Sequence, residues 1–144
     1  MQDHSEDRLL EEALGALGEE YGGSGGRFGA QLGARLLPKD IHKVDLQLPV
    51  TFASALERVR AALAAVARGV NPGLVEAGEN HVTLGALAGG GFAALNPVVV
   101  TVVVTRDAAD GTAVQIRAAA KEGLIKQHAG EKMTQRVADL LLAQ

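Results

Sequence analysis

Gly22, Ser24 and Gly26 spell G-x-S-x-G, the spacing that sets a nucleophilic serine on a strained turn between a strand and a helix. The surroundings do not suit that chemistry. A helical pattern precedes the motif, and Gly22-Gly23-Ser24-Gly25-Gly26 has almost no side chains to pack, so the sequence predicts a flexible linker. Gly89-Gly90-Gly91 could cradle a phosphate through backbone N–H groups, but no Gly-Lys-Ser/Thr follows, and a mobile hairpin connection is the expectation. His4, His42, His81 and His128 lie in four separate segments and make no H-x-H or H-E-x-x-H arrangement. Asp40 with His42, Glu79 with His81, and His128 with Glu131 are each too small a set to hold a metal, so none is expected. The absence of cysteine removes disulfides, thiolate nucleophiles and iron–sulfur ligation. Lys121-Glu122 could supply acid–base chemistry, yet nothing nearby fixes a partner, so neither a cofactor nor enzymatic activity is expected.

The one basic concentration comprises Arg117, Lys121, Lys126, His128, Lys132 and Arg136, diluted by Glu122 and Glu131. Arg117 and Lys121 share one face of a strand, and Lys132 and Arg136 share one face of a helix. The two pairs could therefore converge into an anion-binding strip; a solvated surface is the plainer reading. Across residues 38–144 the charge is nearly balanced, with eleven basic and ten acidic side chains, whereas residues 1–37 carry three basic and seven acidic. A balanced body with Phe52 and Phe92 as its aromatics offers neither a broad cationic face nor a stacking platform, so nucleic acid is not an expected partner.

The elements that must position these groups follow from periodicity. The chain has 144 residues, 47% apolar but 3% aromatic, enough for one domain whose core is built from Ala, Val and Leu. Ser5 can cap an amphipathic helix over residues 6–20, with Leu10, Leu14, Leu17 and Tyr21 on one stripe and Glu6 and Asp7 near its positive end. Residues 27–37 could add one weak turn or two of helix, against the low propensity of Gly29 and Gly33. From Pro38 the alternation of Val44, Leu46 and Leu48 with polar neighbours predicts a strand. Thr51 then caps a helix with the stripe Phe52, Leu56, Val59, Leu63 and Val66, ending at Gly69.

Residues 74–77 and 81–88 read as a hairpin around Gly78-Glu79-Asn80, with Val82, Leu84 and Ala86 facing the core. Residues 98–105 are eight consecutive β-branched side chains, and Asp110-Gly111 turns them into a strand over residues 112–121. A helix over residues 130–143, extendable backwards to Ile125, carries Met133, Val137, Leu140 and Leu141 on one face. Residues 80–105 hold no Asp, Glu, Lys or Arg, a length that could span a bilayer, but three glycines, Asn96-Pro97 and the β-branched run favour a buried strand pair. The N-terminal residues lack the pattern of a secretory signal, so a cytoplasmic setting is expected if Met1 is the natural start.

The fold expected is thus α+β, a two-layer sandwich of order β-α-β-β-β-β-α with an antiparallel sheet packed on a C-terminal helix, residues 38–144, tethered to an N-terminal helix and linker, residues 1–37. In this order of elements, and in the Asp110-Gly111-Thr112 turn before the last strand, residues 38–144 resemble helix-grip and TATA-binding-protein-like modules, including short bacterial ones. The resemblance implies a sheet that wraps or supports the last helix and transfers no site residue.

On the strongest strand, Val98, Val100, Val102 and Val104 can face the core while Val99, Thr101, Val103 and Thr105 form an opposite face too apolar to be left in water. The candidates to cover it are the N-terminal helix, a second copy, another domain or a hydrophobic ligand. The reading that follows is a non-enzymatic binding or assembly module that presents this face, or a helix, to a protein partner or to itself. The alternative is a carrier whose cavity for a small hydrophobic ligand is lined by Leu84, Val100, Val102, Ile116, Val137 and Leu141.

Overall fold

A computed structural model describes residues 6–10, 39–68, 72–90, 96–107, 111–121 and 128–143. Five strands, β1 (Lys39–Leu48), β2 (Gly73–Ala77), β3 (His81–Gly90), β4 (Asn96–Arg106) and β5 (Thr112–Lys121), form one antiparallel sheet in the order β1-β5-β4-β3-β2. Helices α1 (Phe52–Val66) and α2 (Ala129–Leu142) give the α+β architecture its second layer, and residues 6–10 are also helical. Strands β2 to β5 follow one another as a meander, and β1 closes the sheet against β5.

The inner face follows from the two-residue period. Val98, Val100, Val102 and Val104 of β4, with Val114, Ile116, Ala118 and Ala120 of β5, are fully buried. They join Leu84, Ala86 and Ala88 of β3 and the buried stripes of both helices in one core. Each such valine removed from water contributes about 1.5–3 kcal/mol. Because aromatic side chains are scarce, the layers rely on closely spaced small residues. At Gly130 the start of α2 rests against the backbone of β1 and β5.

Thr51 caps α1 as its residue type predicts, its hydroxyl accepting from the Ser54 N–H at 3.2 Å. The helix ends earlier than the sequence suggests. Ala67, not Gly69, leaves helical geometry, and it does so to bridge Ala88 of β3. A second correction concerns the glycines: Gly89 and Gly90 belong to β3, paired with Pro97 and Asn96, because a strand ladder needs only backbone groups. Helix α2 begins at Ala129, so the earlier start at Ile125 lies outside the described residues, as do the linker, residues 11–37 and the turn residue Asp110. The uncharged stretch of residues 80–105 supplies the paired strands β3 and β4, and no helix among the described residues is long and apolar enough to cross a membrane.

Candidate docking face

Both helices pack on one side of the sheet, which leaves the other side to the odd-numbered residues of β4. Directly opposed residues in an antiparallel ladder share a face, so the register lays this outer face out in rows. Ile41, Ala119, Val99 and Leu87 form the first; Lys43, Arg117, Thr101 and Gly85 the second. Asp45, Gln115, Val103 and Thr83 form the third, and Gln47, Ala113, Thr105 and His81 the fourth. The residues singled out on β4, Val99, Thr101, Val103 and Thr105, thus run down the middle of it.

The first two rows are occupied. Residues 6–10 are helical and lie on them, with Leu10 fully buried against Val99 and Ala119 and beside Leu87. Glu6, one turn earlier, is 4% exposed and meets Arg117. The Arg117 guanidinium donates from Nε to Oε2 at 3.0 Å and from Nη2 to Oε1 at 3.1 Å, a two-pronged geometry that fixes orientation as well as charge. The Lys121 ammonium, 9% exposed, stands 3.9 Å from Asp7. Three successive outward positions of β5, Arg117, Ala119 and Lys121, therefore match Glu6, Leu10 and Asp7. The small Ala119 makes the room that Leu10 fills.

In the lower rows Thr83 is buried, whereas the residues nearer β1 border open space. Asp45, Gln47, Val103, Thr105, Ala113 and Gln115 line a shallow hollow of about 390 Å³. Its rim is set by polar pairs: Gln115 donates to Asp45 at 3.1 Å, and Gln47 donates to Asp107. Val103 and Thr105 are half-buried there.

The expected convergence of the basic residues does not occur. Arg117 and Lys121 project from the outer face, whereas Lys132 and Arg136 lie on α2, which packs against the inner face, so the sheet separates the two pairs. Lys132 and Arg136 border a different open hollow, about 740 Å³, with Glu131 and Asp139 alternating among them. Mixed charge of that kind makes no anion strip. Among the described residues, no three of His, Asp and Glu gather as metal ligands.

The residues proposed to line a carrier's cavity are packed against one another. Val100, Val102, Ile116, Val137 and Leu141 expose none of their surface, so no void that admits water borders them. What the sequence reading missed is the match between the acidic arm and β5. The helix dipole alone accounts for Glu6 and Asp7 in the sequence, and the signal that points further is an acidic N-terminal arm with a strand bearing Arg117 and Lys121 on its outward face.

No protein-family model matches the sequence, and comparison with curated proteins gives no match. Among solved structures the chain is similar to protein Mll3558 from Rhizobium loti, at 12% identity and a TM-score of 0.41, over 74% of this chain and 97% of that one. It is likewise similar to protein CV1439 from Chromobacterium violaceum, at 9% identity and a TM-score of 0.41, over 72% of this chain and 95% of that one. Ara h 8.0201 matches at 8% identity and a TM-score of 0.36, over 74% of this chain and all of that one, 100%.

Proposed function

We propose that this chain is a non-enzymatic binding module that engages a protein partner through the outer face of its sheet. The observation that supports the reading is the seat of Leu10: an apolar side chain from outside the two-layer core is wholly desolvated on Val99 and Ala119. A face able to do this for one leucine offers the same burial along β4, where Val103 and Thr105 border the open hollow. The filled interior supports docking over carriage, since a drug-sized ligand needs several hundred cubic ångströms of space.

The test pairs sedimentation velocity with an environment-sensitive apolar dye. Docking on the face predicts association or dye binding that Val103→Lys removes without unfolding the protein, because a charge is harmless in water and costly in a desolvated contact. Ala118→Leu, on the inner side, should leave that binding in place in any variant that folds. Dye uptake that survives Val103→Lys and is blocked by Ala118→Leu would overturn the reading in favour of a carrier.

A further inference from the structure

The upper rows of the face specify the chemistry of the segment that fits them, an inference that rests on the docking reading. Arg117 holds a carboxylate by two parallel N–H bonds, an arrangement that a cationic side chain cannot reproduce and a neutral amide only in part. Ala119 leaves space for one branched apolar side chain, and Lys121, itself nearly buried, faces a second acid. Glu6 and Asp7 thus set two acids against two cations on a surface shaped around an apolar side chain, with Lys43 beside Arg117 in the register adding a third positive charge. Whatever replaces residues 6–10 must bring the same acids at the same spacing from a leucine. We propose that this face recognises helical segments of the pattern acid-acid-x-x-Leu, and that residues 6–10 are the resident copy, which a partner's segment has to displace.

The resident copy is a tethered competitor. In sequence, 28 residues, 11–38, separate it from β1, so a competing segment meets an intramolecular rival. A free segment of equal quality then loses the competition until its own concentration exceeds the effective concentration of that rival. A partner that adds burial in the lower hollow at Val103 and Thr105, which residues 6–10 leave open, gains the surplus needed to win. The two halves of the face therefore divide the work: one sets which sequence is accepted, the other sets who can evict the occupant.

A fluorescent peptide with the sequence of residues 1–20, titrated into the full chain, tests this directly. The unaltered chain should bind it weakly, and the full-length variant E6Q/L10S, whose own segment no longer fits, should bind it roughly tenfold or more tightly. Adding Arg117→Glu to that variant should abolish binding, and a peptide carrying Glu6→Arg should restore it. If the double variant unfolds by circular dichroism, E6Q alone gives the same comparison with a smaller gain. A folded variant that does not take up the peptide, or takes it up regardless of the charge at position 117, overturns the inference. Failure of the docking reading appears separately, as association or dye binding insensitive to Val103→Lys. A dimer of the unaltered chain that E6Q/L10S abolishes supports the proposal and identifies the displacing segment as a second copy's.

Discussion

Asp40 supplies to α2 what a helix commonly obtains from the residue just before it. His128 precedes the helix with φ 54° and ψ 42°, a left-handed conformation that leaves its side chain making no cap. The orphan N–H of Gly130 instead donates to the Asp40 carboxylate of β1 at 3.0 Å, which also sets negative charge at the positive end of the helix. The close approach explains the glycine: a Cβ at position 130 would lie 2.8 Å from the Asp40 carbonyl oxygen and 3.2 Å from that of Ala118. Gly130→Ala should therefore destabilise the protein by about 1–3 kcal/mol, despite the better helix propensity of alanine. Asp40→Ala should cost about 0.5–2 kcal/mol. Chemical denaturation midpoints check both, and the double variant should fall short of the sum because the two residues share one contact.

Helix α2 owes its place to a stripe rather than to its cap alone. Val137 and Leu141 are fully buried against the sheet, so truncation to alanine should cost about 1–4 kcal/mol for the valine and about 2–5 kcal/mol for the leucine, with the exposed Lys132→Ala as an unchanged control. Equal midpoints for all three proteins would contradict the two-layer packing. The elements of this sandwich were legible because their signals are local: the alternation in β5, the β-branched run of β4, the caps and stripes of both helices. The end of α1 was not, since Ala67 leaves the helix to meet Ala88, a partner that no local pattern announces. The anion strip failed for a related reason. Periodicity assigns a side chain to a face of its own element, but which side of the sheet α2 occupies is settled only by packing. The edges of the sheet differ in kind: β1 alternates polar and apolar residues from Lys43 to Leu48, whereas β2 is short, bulged between Leu74 and Glu76, and leaves Leu74 and Val75 exposed.

For the molecule as a whole, the division between residues 1–37 and the remainder has a direct test. Deletion of residues 1–26 should leave a folded sheet, weakened by about 1–3 kcal/mol through loss of the buried Leu10 and of the acids that face Arg117 and Lys121. Thermal unfolding and amide exchange measure it, and β4, central in the sheet, should remain among the best-protected segments. Complete unfolding would show instead that the arm is part of the core. The place of β1 has a further consequence. Its partner is β5, so Asp45 is hydrogen-bonded to Gln115 across 70 positions of sequence, whereas β2 to β5 pair with neighbours through short connections. Closing so long a loop costs chain entropy that is recovered only once the meander exists to receive the strand. Of the five strands of this sheet, the earliest in sequence is thus expected to be the last to find its place. Leu48→Ala should speed unfolding and barely change the folding rate, while Val100→Ala, within the meander, should slow folding. Until β5 has emerged, β1 lacks the strand it pairs with in this sheet, and the charges of Lys43 and Asp45 on its outward face are of the kind that guards an unpaired strand against association.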